Sequence, residues 1–377
     1  MAMPPSTSIY SSRQKGLIQA LEHTGFSTLV LNPGPSLTYL TGLHFHLMER
    51  PVVALFTPST PVTLVLPELE LGKTNNLPYP VQCFSYQDNP ATWKDAFSKA
   101  AQAVKITGQQ VGVEPNRLRV LELRFLEEAA PSSQFLSAEE VIASLRLQKD
   151  ADEILSIRNA VCIAQEALQA TLPIIKIGMS ERELAAELTL QLLRTGSDPE
   201  LSFSPIVASG PNSANPHAVP SNRQLTYGDL LVLDWGACYQ GYISDLTRTF
   251  AVGSIDPEMA NIYRVVFEAN LAGRSAASPK IPAGEVDLAA RSVIDKAGYG
   301  KYFTHRTGHG IGMEGHEEPY IYAENSLQLA PGMVFTVEPG IYLPGRGGVR
   351  IEDNVVITSG GAESLSDFSR ELITITE

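Results

Sequence analysis

Apolar residues in the first third of the chain come in short unbroken blocks. STLVLN (27–32), PVVALF (51–56) and PVTLVLP (61–67) read as buried strands, and Pro33-Gly34-Pro35 ends the first. A helical spacing over 10–24 precedes them, and strands and helices alternate to about residue 135. That alternation predicts a small α/β unit. Ser137 and Glu140 have the spacing of a capping box, which would open a helix there. Near Asp150 the pattern changes to a long helical stripe of Ile154, Ile157, Val161, Ile163, Ala164 and Leu168. A second capping box, Ser180 with Glu183, opens another helix running to about Arg194. A domain boundary is therefore expected near residue 150, giving domains at 1–149 and 150–377.

The second domain repeats its own order. Two helices (150–195) precede a strand pair ending near Val252, and two more (256–275 and 284–297) precede a pair ending near Ile357. Two related α/β halves, with a site where their sheets meet, are the expected architecture.

Bulk properties narrow the function. With Lys+Arg 28 against Asp+Glu 41 the net charge is -13, which disfavours nucleic acid and anionic membranes, since both need a basic face. Cys83, Cys162 and Cys238 are far apart and odd in number, so a reducing compartment and a cytoplasmic location are expected. The stretch MAMPPSTSIYSSRQKG carries no apolar signal core, and no apolar run is long enough to span a membrane.

Four carboxylates carry the chemistry. The run Leu230–Leu233 ends in Asp234, and Asp245 follows beyond a turn near Gln240-Gly241. A turn at Tyr239-Gln240 sets the two directly opposite; one at Gln240-Gly241 makes them diagonal neighbours. In MVFTVEPGIYLPGRGGVRIEDNVVIT, Glu338 and Glu352 are centred on Gly345, so an odd-length loop sets them opposite on one face. Four converging carboxylates cannot all ionise uncompensated. A pair of divalent ions is the simplest compensation, and carboxylates with an imidazole suit Mn(II), Co(II), Fe(II) or Zn(II). Histidines are available, because THRTGHGIGMEGHEEP (304–319) holds His305, His309 and His316 out of seven in the chain. A zincin helix is excluded: His316-Glu317-Glu318-Pro319 lacks the second histidine and places proline where the helix would run.

With these segments in order, LDWGACYQGYISDLTRTF, FTHRTGHGIGMEGHEEP, TVEPGIY and VRIEDNVVIT, the chain resembles the pita-bread metallopeptidases over about residues 150–360. That group includes methionine aminopeptidase, prolidase and aminopeptidase P. The first domain, with YLTGLHFHLMERP (39–51), resembles the extra, creatinase-like domain of the proline-specific members. The resemblance implies a pita-bread catalytic domain with pseudo-twofold halves, and metal ligands at Asp234, Asp245, His309, Glu338 and Glu352. Asp245 and Glu352 would bridge two ions, manganese before cobalt, zinc or iron. Hydroxide between them would attack the first peptide bond, with Glu338 moving the proton and His217 and His316 steadying the oxyanion. His305 would lie at the rim of the substrate pocket, and Tyr342 and Arg350 would support carboxylates or substrate.

The resemblance further implies a homodimer and a peptide substrate with proline in second place. Some prolidases carry an arginine directly after the HExP proline, where this chain has Tyr320. That departure ranks Xaa-Pro aminopeptidase ahead of Xaa-Pro dipeptidase; methionine aminopeptidase, which usually lacks such a first domain, comes third. Arg50, near His44 and His46, is the alternative cation for a dipeptide carboxylate. A metal-free peptide-binding module is disfavoured by the intact ligand set, and a hydrolase of non-peptide esters remains to be separated by a substrate panel.

Overall fold

The computed structural model describes residues 8–201 and 203–376. The stretch read for a signal core lies outside them over residues 1–7. The chain divides after Arg146 into two compact units.

In the first unit, α1 (Ser8–Thr24) leads into β1 (Thr28–Leu31), α2 (Pro35–Thr41), β2 (Val53–Phe56), β3 (Val62–Pro67) and β4 (Val81–Tyr86). Then come α3 (Trp93–Val104), β5 (Gln110–Val113), α4 (Val120–Ala129), β6 (Gln134–Ser137) and α5 (Glu139–Arg146). The sheet order is β4-β3-β2-β1-β5-β6, with β1, β5 and β6 mutually parallel. Its apolar blocks are buried as their unbroken sequence requires, and α3 packs Trp93, Phe97 and Val104 on that face. The Ser137–Glu140 capping box does not form. Ser137 is taken by β6, where it pairs with Val113, and Ala138 O accepts the first helical bond from Ile142 N.

The second unit opens with α6 (Ala151–Thr171) and α7 (Glu181–Arg194). Both start with true capping boxes, Asp150 with Glu153 and Ser180 with Glu183, each worth about 1 kcal/mol. The first half continues as β7 (Ile206–Ser209), β8 (Leu230–Trp235), β9 (Cys238–Tyr239), β10 (Tyr242–Ile243) and β11 (Leu246–Val252). The second half begins with α8 (Pro257–Ala276) and α9 (Gly284–Lys296), followed by β12 (Gly308–Gly310), β13 (Glu317–Ile321) and β14 (Val334–Val337). It ends with β15 (Gly340–Leu343), β16 (Gly347–Arg350), β17 (Asp353–Thr358), β18 (Gly361–Ser364) and β19 (Thr374–Ile375). The sheets run β19-β11-β8-β7 and β13-β12-β14-β17-β18. Each half is thus a helix pair followed by antiparallel strands. Among the described residues no helix is long and apolar enough to cross a membrane.

Two turns decide which way the carboxylates point. Gln240 and Gly241 both have positive φ, 53° and 79°, as a tight two-residue hairpin turn requires. Tyr242 pairs with Tyr239 and Thr247 with Asp234, so Asp234 and Asp245 are diagonal neighbours. In the second hairpin Leu343 pairs with Gly347, leaving the three-residue loop Pro344-Gly345-Arg346. Gly340 faces Arg350 and Val337 faces Asp353, a register that sets Glu338 against Glu352. The halves are stitched by a bridge between Thr247 and Glu352.

Candidate metal centre

His309 enters this ladder on β12, squeezed between β13 and β14. A Cβ on Gly308 would lie 1.9 Å from Thr336 O, and one on Gly310 would lie 2.2 Å from Glu318 O. The glycines flanking His309 are therefore demanded by neighbouring strand backbone.

Asp245, His309 and Glu352 are buried, and each offers a ligand atom within 4.8 Å of the others. Nδ1 of His309 lies 3.1 Å from Gly310 O, which assigns the ring proton to Nδ1. Nε2 then presents a lone pair 3.3 Å from Glu338 Oε1 and 3.7 Å from Asp245 Oδ2. Burial, and next the neighbouring His316, lower the His309 pKa well below its ordinary value, so imidazolium does not relieve the arrangement. A lone pair facing two carboxylates repels unless a cation sits between them.

The carboxylates agree. Burial raises Asp234, Asp245 and Glu352 above the ordinary range, and mutual repulsion adds to it for Asp245 and Glu352. Glu338 is pushed up to about 7, by burial first and then by Asp234. Oδ1 of Asp234 and Oε1 of Glu352 are buried without a hydrogen-bond partner. Orphaned anionic oxygens of this kind fit a divalent ion.

The other oxygens are held firmly. Thr247 Oγ1 donates to Glu352 Oε2 at 2.7 Å, and Arg350 Nη2 donates to Asp234 Oδ2 at 2.5 Å. Arg350 also donates through Nε to Thr247 Oγ1 and through Nη1 to Tyr342 Oη and Pro216 O. His305 Nδ1 lies 2.7 Å from Arg306 O, so its Nε2 accepts from Tyr342 Oη at 2.9 Å. Burial lowers the His305 pKa to about 4, and burial raises Tyr342 to about 12, which keeps both neutral. His305, Tyr342, Arg350 and Asp234 thus form one continuous chain of hydrogen bonds.

His316 packs edge-on against His309, ring centroids 4.1 Å apart, with an exposed outer edge. His217 is exposed on the loop after β7, just past Pro216, whose carbonyl Arg350 holds. Arg50 belongs to the first unit, where Asp88 and Glu49 neutralise its guanidinium at 2.6 Å each. Sequence reasoning missed Thr247 and Asn354. Asn354 clamps Asp245 by accepting from its N and donating to its O. Thr247 lies two residues beyond Asp245 on the same strand, a spacing that signals a shared face.

Such a site, four carboxylates and an imidazole between paired α/β halves, defines a metal-dependent hydrolase of the pita-bread type. The chain belongs to metallopeptidase family M24, whose model matches residues 156–359, and the Creatinase/Prolidase N-terminal domain matches residues 13–148. Members of that family use divalent metal ions. The chain is 36% identical to the Xaa-Pro dipeptidase of Pyrococcus horikoshii over 373 residues, 97% of this chain and 99% of that one. It superposes on the prolidase of Thermococcus sibiricus with TM-score 0.93 at 34% identity, over 100% of both chains. The X-Pro aminopeptidase of Thermotoga maritima superposes with TM-score 0.83 at 30% identity, over 96% of this chain and 99% of that one.

Proposed function

We propose that this metallopeptidase is a dinuclear-metal Xaa-Pro dipeptidase, cleaving the bond before proline in two-residue peptides. Aminopeptidase action, ranked first from the sequence because of Tyr320, gives way to its alternative, since the relatives with the higher TM-score and identity are dipeptidases and prolidases. The observation that carries the metal reading is the His309 Nε2 lone pair turned toward Glu338 and Asp245.

Asp234, Asp245, His309, Glu338 and Glu352 would hold the divalent ions. Bound ions supply the Lewis acidity that lets water attack an amide near neutral pH. Glu338 takes the proton of that water on Oε1 and returns it to the leaving nitrogen. His316 and His217 donate hydrogen bonds to the developing oxyanion and the neighbouring carbonyl. The substrate ammonium is received on the Asp234 side of the site.

The test is to strip the protein with a chelator, restore Mn(II), Co(II) or Zn(II) separately, and follow Ala-Pro beside Ala-Pro-Ala. Metal-restored cleavage favouring Ala-Pro is expected. Preference for Ala-Pro-Ala restores the aminopeptidase reading, and no cleavage of either with any metal overturns the proline-peptidase reading.

A further inference from the structure

The ring of His217 has no anchor of its own. Among the described residues the hydrogen bond that fixes His217 runs from its backbone N to Asn215 Oδ1, at 3.1 Å. It stands exposed on the 210–221 loop between β7 and β8, and Val219 two residues on is exposed too. Where the imidazole points is therefore set by the backbone of this loop. Holding an exposed loop in one conformation costs entropy, so something must hold it.

One carboxylate reaches both ends of it. Glu181, the first residue of α7, is fully buried. Its Oε1 accepts from Ser209 N at 2.7 Å and Ser209 Oγ at 2.8 Å, where the loop leaves β7. Its Oε2 accepts from Ser221 N at 3.1 Å and Ser221 Oγ at 2.7 Å, where the loop returns. Asn212 Nδ2 spans the two oxygens at 3.2 and 3.1 Å. From there the link runs on to His217: Asn215 N donates to Asn212 O at 3.0 Å, and Asn215 Oδ1 receives His217 N. On its other side the same loop is fixed to β16, by Gly348 N donating to Ser213 Oγ at 2.8 Å and Arg350 Nη1 to Pro216 O at 3.2 Å.

The charge of Glu181 matters as much as its shape. Backbone N–H groups only donate, and each of its oxygens faces one, so both are wanted as acceptors. An ionised carboxylate offers that; an amide does not. Burial opposes the charge, but the hydrogen bonds from Ser221, Ser209 and Asn212 outweigh it and hold the carboxyl below its ordinary value. Arg223 donates to Ser209 Oγ and is itself neutralised by Asp229 through two hydrogen bonds. Nor is the carboxylate needed as a helix cap, because Ser180 and Glu183 already close that end of α7. A buried ion held only by neutral donors is costly to keep, and what this one secures is the loop.

We propose that Glu181 is a positioning residue of the reaction, which ties the two ends of the 210–221 loop together and so presents His217 to the scissile carbonyl. The inference rests on the role of His217 in the reading above. Glu181 bonds to the loop and its ends, not to a metal ligand, so it acts through His217 alone. A donor displaced by about 1 Å loses its grip on the transition state, so the cost falls on kcat rather than on binding.

The experiment is a double-mutant cycle on whichever of Ala-Pro and Ala-Pro-Ala the metal-loaded enzyme cleaves better, joined to hydrogen exchange of the metal-free protein. His217→Ala should lower kcat about 100-fold. Glu181→Gln should lower it about 10- to 30-fold, with KM and metal affinity within about threefold of wild type. The double variant should be within about threefold of His217→Ala, because a loop without its imidazole has nothing left to position. Asn212→Ala breaks the same link without touching the buried charge, and keeps the test open where Glu181→Gln fails to fold. It should lower kcat about three- to tenfold, again only when His217 is present. In the metal-free protein Glu181→Gln should speed amide exchange over residues 212–218 about tenfold and leave β8 and β11 at their wild-type rates. Losses that multiply in the double variants, or metal affinity that falls together with kcat, mean a general structural role and overturn the inference. Unchanged exchange over 212–218 overturns it as well. A His217→Ala enzyme as fast as wild type overturns the reading of His217 and the inference with it.

Discussion

Glu352 and Asp353 are neighbours in sequence, both buried, and opposite in every electrostatic respect. Glu352 looks into the site, where burial and the carboxylates Glu338 and Asp234 push its pKa well up, and one of its oxygens has no partner. Asp353 looks away. Burial opposes its charge too, but Arg248 and Arg370 overcome that and hold it well below the carboxylate range. Both oxygens of Asp353 are occupied: Arg248 donates at 2.8 Å, Arg370 at 2.7 Å, and Ser366 Oγ at 2.7 Å. One face of this segment is therefore built to be stable as it stands, and the other to become stable when a cation arrives. Two adjacent acidic residues acquire opposite work because a strand turns successive side chains to opposite sides.

Substitution should separate the faces most sharply. Asp353→Ala leaves Arg248 and Arg370 buried without their anion and should cost about 3–5 kcal/mol, read as a fall in urea midpoint of the metal-free protein. Glu352→Gln should cost less than about 1 kcal/mol in the same assay, while metal affinity falls more than about 100-fold by chelator competition. Equal destabilisation by the two would break the comparison.

The pH dependence tests the site face alone. Glu338 moves from 4.5 to about 7 on folding, and Asp234, Asp245 and Glu352 move the same way. The native metal-free state then binds more protons than the unfolded chain, so its stability is greatest below 4.5 for Glu338 and is lost as pH rises through about 7. The melting temperature of the stripped protein, corrected for the rest of the titration by comparison with Glu338→Gln, should fall across that window. Metal should restore stability at the upper end. A site-dependent rise in stability with pH would sink this account.

Proton release is the smaller companion effect. Filling a site of raised carboxylates should expel protons, seen as a binding enthalpy that changes with buffer ionisation heat at pH 6.5 and much less at pH 9. Smallest is the effect of Thr247→Val, which removes the donor to Glu352 Oε2. It should weaken metal binding about tenfold and leave the fold intact by circular dichroism.

Much of this was legible before folding. Unbroken apolar blocks announced the buried strands of the first unit, and one of the two capping boxes read from the spacing, Ser180 with Glu183, placed its helix start correctly. The other failed because Ser137 is claimed by a strand pairing with Val113, a long-range demand that local spacing does not contain. Side-chain parity put Glu338 against Glu352 once an odd loop was assumed, because a strand's period of two leaves no other choice. For Asp234 and Asp245 two turns were open, and the positive φ of Gln240 and Gly241 selected the diagonal one.

What the sequence by itself determined is the kind and order of the residues that line the site, since those follow from residue type and from strand periodicity. What it could not determine is which charges are already answered. Arg50 looked available and is neutralised by Asp88 and Glu49. Neutralisation depends on distances between segments far apart in the chain, and Coulomb energy falls with those distances through a dielectric that burial sets. Only the tertiary structure fixes either one.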